Sequence, residues 1–239
     1  MEVSLKNKSA FVEVLKDYEP SEEAKNLLAD MPLVILQGVS GSGRNTLIDY
    51  IVAHGNFHTV VSDTTRPPKV RDGRLEQDGI AYHFRSEDEL LADLKKGMFL
   101  EAELIHDQQV SGINIQELVR ASKSGKTPIN EVARDGVVNI RRAKPTTIFF
   151  FIVPPSYDVW LQRLAKREVM SDEELSNRKR SAITEIDTAL ATEDFHFVVN
   201  DTVERAASII QSIAGGAQNI AENNNARAVA SAIRAKLLA

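Results

Sequence analysis

Three groups of residues have the types and spacing to do chemistry. The first is Gly38-Val39-Ser40-Gly41-Ser42-Gly43-Arg44-Asn45-Thr46. Glycines at 38, 41 and 43 let the backbone turn its N–H groups inward, and a helix starting just after them adds the positive end of its dipole. The result is a concave anion site suited to the β- and γ-phosphates of a nucleotide. The spacing is that of G-x-x-x-x-G-K-[ST], with Arg44 where the phosphate-reaching lysine belongs and Asn45 where the Mg²⁺-binding hydroxyl belongs. A flexible Gly/Ser turn is the alternative. The phosphate loop is preferred because an apolar run over residues 33–36 enters it and a helix-patterned run over 47–52 leaves it.

The second group is Ser62-Asp63-Thr64-Thr65-Arg66-Pro67-Pro68-Lys69, followed by Gly79-Ile80-Ala81-Tyr82-His83-Phe84. Arg66 supplies a planar fork, Lys69 a point charge and Tyr82 a directional O–H donor, so the three can converge on one phosphate. A solvated, proline-stiffened loop accounts for the same residues. The third group is Arg163, Arg167 and, beyond an acidic stretch, Arg178. Arginines flanking a mobile segment suit a lid that neutralises charge on a transferring phosphoryl group. An exposed helix laced by i,i+4 ion pairs is the other reading.

Elements that position these groups follow from periodicity. Ser21 is predicted to cap a helix over 22–29, and Ser86 with Glu89 forms a capping box for a helix over 87–96. Residues 57–61 and 99–104 read as strands. Residues 146–153 form a near-continuous apolar run, the pattern of a buried parallel strand. Trp160 and Leu164, four apart, place Trp160 in the core rather than on a stacking platform. Helices are predicted over 115–122, 157–164, 172–190 and 202–214. Near the end, Val229, Ile233 and Leu237 make a helical stripe, and the run Asn223–Asn225 is predicted to interrupt any helix that begins near Gln218.

Composition bounds the rest. A chain of 239 residues suits one α/β domain with additions. With 29 Lys and Arg against 34 Asp and Glu, no global basic field points to nucleic acid. There is no cysteine, which excludes disulfides and thiolate metal sites. The N-terminal residues show no signal-peptide h-region, and the longest apolar run is far too short for a bilayer. The expectation is a soluble, cytoplasmic protein with no membrane partner, monomeric or homodimeric. No histidine pair has metal-binding spacing, so the metal expected is only Mg²⁺ brought with ATP.

The set Ser-x-Thr-Thr-Arg-x-Pro-Lys, then Gly-x-x-Tyr-x-Phe, shortly after a G-x-S-G-x-G loop, resembles the guanylate kinase family. The similarity runs from about residue 33 to about 214. It implies an α/β fold: a P-loop NTPase-type parallel sheet core flanked by helices, with a GMP-binding arm (about 62–112) and a helical lid (about 163–185). A helical extension would precede it over 1–31, the kinase-like domain would occupy 32–215, and another helical extension would follow over 216–239.

The resemblance also assigns roles. Residues 38–46 would hold ATP. Arg66, Lys69 and Tyr82 would hold the GMP phosphate, with Ser62 and Glu101 at the guanine. Ser111 falls in the turn that contacts the acceptor. Arg44, Arg167 and Arg178 would serve catalysis, and Asn45 with Glu131 would lie at the metal. Val110 stands where the family has a tyrosine, and Ala133 where it has a second acid. The implied reaction is ATP-dependent phosphorylation of GMP. The alternative is a catalytically impaired module that uses the same sites to bind a nucleotide or a phosphorylated or acidic partner.

Overall fold

The computed structural model describes residues 5–71, 73–167 and 170–238. In chain order the first elements are α1 (Lys8–Leu15), α2 (Glu22–Leu28), β1 (Val34–Gln37), α3 (Arg44–His54), β2 (Phe57–Thr59), β3 (Asp63–Thr64), β4 (Val70–Arg71), β5 (Arg74–Leu75) and β6 (His83–Phe84). They are followed by α4 (Glu87–Lys95), β7 (Phe99–Ile105), β8 (Gln109–Asn114), α5 (Ile115–Lys123), β9 (Thr127–Glu131) and α6 (Arg134–Ala143). The chain ends with β10 (Ile148–Val153), α7 (Tyr157–Arg167), α8 (Asp172–Leu190), β11 (His196–Val199), α9 (Val203–Ala214) and α10 (Ile220–Leu238).

The chain divides into two compact units. One takes the chain up to Leu33, His58–Pro128 and Asp135–Thr147; the other takes Val34–Phe57, Ile129–Arg134 and the chain from Ile148 onward.

The second unit is built on a sheet in the order β11-β10-β1-β9-β2, in which β1 runs parallel to both β10 and β9, and β10 parallel to β11. Parallel strands flanked by helices bury both faces, which explains why β1 is buried at every position. Leu36, Ile51, Phe150, Ile152, Val198 and Ile210 meet in its core. α10 belongs here, burying Ala226, Ala230 and Ile233. The predicted break at Asn223 does not occur. The Asn223 carboxamide accepts from the Phe197 N–H at 2.7 Å, and this tertiary bond outweighs a weak local preference.

In the first unit a sheet in the order β6-β3-β8-β7 forms the arm, with the β4–β5 hairpin beside it. α4 opens on the capping box foreseen at Ser86 and Glu89. Its Leu90 and Leu94 pack with Phe11, Phe99 and Val110. Val110 therefore faces a core and not a ligand. The N-terminal segment is fastened by Tyr18, whose hydroxyl donates to the Phe99 carbonyl at 3.0 Å and accepts from the Phe99 N–H at 2.9 Å. The strand expected over 57–61 is shorter, ending at Thr59. No described helix is long and apolar enough to cross a membrane.

Candidate active site

The glycine loop joins β1 to α3, as its spacing requires. Gly38 has φ +152°, and a Cβ there would stand 2.4 Å from the Ile152 carbonyl oxygen. Gly43 has φ +92°, and its Cβ would meet the Asn200 amide nitrogen at 2.5 Å. Glycine is thus required both by conformation and by close approach.

Side chains of the same unit fasten the loop from outside. Trp160 Nε1 donates to the Ser40 carbonyl at 2.8 Å, Arg163 donates to the carbonyls of Ser42 and Asn200, and Asn200 Nδ2 donates to the Ser42 carbonyl at 2.7 Å. Arg178 on α8 reaches the Ser40 hydroxyl at 3.0 Å. Burial pulls Arg163 below its usual range. Trp160, 1% exposed, is core as foreseen and a brace for the loop as well. Asn200 and Trp160 were not foreseen as loop contacts; the Asn200-Asp201 pair directly after β11 is the signal that could have found the first. Arg167 closes α7, and its side chain lies outside the described residues.

Beside the loop lies an open cavity of about 530 Å³, lined by Gly41, Gly43, Arg44, Asn45, Thr46, Arg163, Asn200, Asp201 and Val203. Its lining brings together two loop glycines, the arginines Arg44 and Arg163 and the N-terminus of α3, the makings of a polyphosphate site.

Arg44 does not point freely into that space. Its Nε lies 3.0 Å from a Glu131 carboxylate oxygen. Asn45, with its amide nitrogen toward Glu131, donates to both carboxylate oxygens at 3.0 Å; this orientation satisfies both ends of the amide. Glu185 on α8 is pushed up by burial and held back by the charges of Arg44 and Arg134. The residues expected at a metal are therefore engaged with each other and with a guanidinium. They do not fit a side-chain Mg²⁺ site, whose oxygens must face the ion in near-octahedral order. Among the described residues no cluster of three or more His, Asp or Glu side chains is placed for a metal ion.

The acceptor candidates lie in the first unit. Arg66 is 7% exposed and stacks on the Tyr82 ring at 4.6 Å. Glu76, which sequence reasoning passed over, holds it with both oxygens, and this partnership raises the guanidinium further. Lys69 is exposed, and its backbone N–H donates to the same carboxylate at 3.0 Å. Ser62 is half-buried at the entry to β3. Ser111 shares a hydrogen bond of 2.7 Å with Thr64. Glu101 is 8% exposed, and burial first, then the charge of Glu103, pushes it up to about 7, against an opposing hydrogen bond from the Ile113 backbone.

A parallel sheet with a glycine loop between its first strand and helix, braced by arginines, defines a P-loop nucleotide-binding fold. The sequence model of guanylate kinase matches residues 30–215, and the chain belongs to the guanylate kinase family. It is 32% identical over 181 residues to the guanylate kinase of Clostridium tetani, covering 76% of this chain and 84% of that one. Identity to the Neisseria gonorrhoeae guanylate kinase is 34% over 176 residues, covering 73% and 82%. Guanylate kinase 1 of Arabidopsis thaliana is 30% identical over 190 residues, or 78% of this chain; the chain spans 48% of that longer relative. The crystal structure of guanylate kinase from Anaplasma phagocytophilum has the same fold, with a TM-score of 0.56 at 22% identity over 80% of this chain and 89% of that one.

Proposed function

We propose that the chain transfers the γ-phosphoryl group of ATP to GMP, giving ADP and GDP. A phosphate oxygen of GMP bonds to the γ-phosphorus as the bond from that phosphorus to the β,γ-bridging oxygen breaks. The observation that carries this reading is the latched glycine loop opening on a cavity lined by Arg44, Arg163 and Asn200. Residues 38–46 would hold the donor phosphates through backbone N–H groups. Arg44, Arg167 and Arg178 would neutralise charge on the transferring group, so that positioning and electrostatics do most of the work without a dedicated base. Ser62, Arg66, Lys69, Tyr82, Glu101 and Ser111 would hold the acceptor. Mg²⁺ would arrive on the phosphates of ATP, where it neutralises charge, and neither Asn45 nor Glu131 is assigned to it. The cytoplasm is the compartment proposed for this work, and a net charge of −5 gives nucleic acid no attraction.

A coupled assay of ADP release with GMP, AMP, dGMP and UMP tests the reading. Turnover dependent on GMP supports it. GMP binding without turnover would favour the impaired module, which the Arg44–Glu131 pair makes worth separating.

A further inference from the structure

Two segments fall outside the residues matched by the guanylate kinase model, the chain before residue 30 and the chain after 215. We propose that both are strand-edge guards: each supplies polar groups that occupy the free edge of an outer strand, and so keeps a second copy of the chain from pairing there. The proposal is independent of the phosphoryl-transfer reading.

An outer strand presents a row of unpaired N–H and C=O groups on which another chain can build. The arm sheet ends in β6, of two residues, and β7, of seven. The other sheet ends in β2, of three residues, and β11, of four. In each sheet the longer outer strand is the one that an extension covers.

On β7 the alternation of the ladder decides which groups face outward. The Met98 carbonyl accepts from the Ile115 N–H on the β8 side, so Gly97 and Phe99 point the other way. The Gly97 carbonyl accepts from the Ser21 N–H at 3.0 Å. Both groups of Phe99 are closed by the Tyr18 hydroxyl, which donates to the carbonyl at 3.0 Å and accepts from the N–H at 2.9 Å. Pro20, between these two residues, has no N–H to offer a further strand. One phenol thus makes both contacts that a neighbouring strand would make at Phe99.

On β11 the Asn200 N–H just after the strand donates to the Val153 carbonyl of β10, so Phe195 and Phe197 face outward. The Phe197 N–H donates to Asn223 Oδ1 at 2.7 Å, and the Phe195 carbonyl accepts from Arg227 Nη2 at 3.4 Å. The Arg227 guanidinium lies 4.3 Å from the Phe197 ring. Asn223 and Arg227 are four apart on α10, so one face of the helix meets the edge. A loop tyrosine in one unit and a helical asparagine–arginine pair in the other therefore do the same task. An extension that served packing alone would need no polar group aimed at outward backbone.

The test combines amide hydrogen exchange with sedimentation of the full chain. Tyr18→Phe is expected to speed exchange at the Phe99 amide by about two- to tenfold, the worth of one neutral hydrogen bond, and to leave Phe197 unchanged. Asn223→Ala is expected to do the reverse, while Asn223→Asp, which can still accept, keeps Phe197 protected. Tyr18→Ala with Asn223→Ala opens both edges, and the mass read by sedimentation is expected to rise with concentration above that of the native chain. Exchange that rises evenly over all core amides in the single variants overturns the proposal, because it reports lost stability alone. A folded double variant whose mass follows the native chain at every concentration overturns it as well. Where the double variant does not fold, exchange at Phe99 and Phe197 decides.

Discussion

Glu76 holds Arg66 as a fork holds a fork: one oxygen lies 2.5 Å from Nη1 and the other 3.0 Å from Nη2, with both side chains 6% exposed. Tyr82 covers one face of the guanidinium. The pair sets the plane in which Arg66 can offer its remaining donors to a phosphate. Removing one partner of a buried pair costs about 3–5 kcal/mol, because the other charge is left uncompensated. Glu76→Ala is expected to lower stability within that range in urea denaturation. Added GMP should recover part of the loss, since its phosphate can neutralise the stranded guanidinium.

Glu101 makes stability depend on pH in a defined sense. Its carboxyl keeps its proton up to about pH 7 in the fold, against 4.5 for a free glutamate, chiefly because burial disfavours the charge. The folded state therefore binds more protons than the unfolded state between those values, and stability falls as pH rises through that window. The contribution is complete below about 4.5 and lost above about 7, with a full size of about 3 kcal/mol. Glu101→Gln mimics the neutral form. Melting at pH 5, 6, 7 and 8 should show the native chain losing ground to this variant as pH rises. Parallel curves would refute the assignment.

Much of the glycine loop was legible in the sequence because its signal is local. Glycine positions, an apolar strand and a following helix sit within about twenty residues, and each answers to backbone physics that any chain obeys. The same is true of the capping box at Ser86. What was not legible depends on partners far away in the chain. Nothing near Arg44 says that Glu131 will meet it, and nothing near Arg66 says that Glu76, across a hairpin, will grip it. Alternation put Glu101 on the arm's strand but did not reveal that the ladder slips beside it and uses its carboxylate. Asn223 shows the converse: a residue poor in helices is held in one because its carboxamide satisfies a strand end.

α10 is an anchored part of the second unit. Arg227 donates to the carbonyls of Leu190, Thr192 and Phe195 and lies 4.3 Å from the Phe197 ring, while Arg234 pairs with Asp187 on α8. These carbonyls close the turn between α8 and β11. Leaving such groups without a donor costs about 1–3 kcal/mol. Arg227→Ala should lower stability by an amount in that range, read as a fall in the thermal midpoint, and truncation after Gly216 by more. ATP affinity should stay within about threefold in Arg227→Ala, since none of its contacts reaches the glycine loop. A large loss of ATP affinity with the fold preserved would show that α10 acts on the donor site.

The loop's two departures from the usual phosphate-loop pattern meet at one carboxylate, and this makes them testable together. Arg44 binds Glu131 at 3.0 Å, and Asn45 closes on the same group. Lysine in place of Arg44 is a compact charge able to reach the β- and γ-phosphates, whereas the planar guanidinium is engaged through Nε with Glu131. Serine in place of Asn45 removes the amide from Glu131 and restores a small hydroxyl. Both changes fall in the loop proposed to hold the donor phosphates, so they should alter the transfer rate more than acceptor binding. A misplacement of about 1 Å can cost on the order of a hundredfold in rate, or about 2.7 kcal/mol of barrier. Arg44→Lys with Asn45→Ser is expected to raise kcat by roughly tenfold or more, inside that bound, and to leave the GMP KM within a few-fold. Steady-state kinetics at saturating ATP measures both quantities. A double variant slower than the native chain would mean that the loop is built around the Arg44–Glu131 pair, and that the pair assists transfer instead of restraining it.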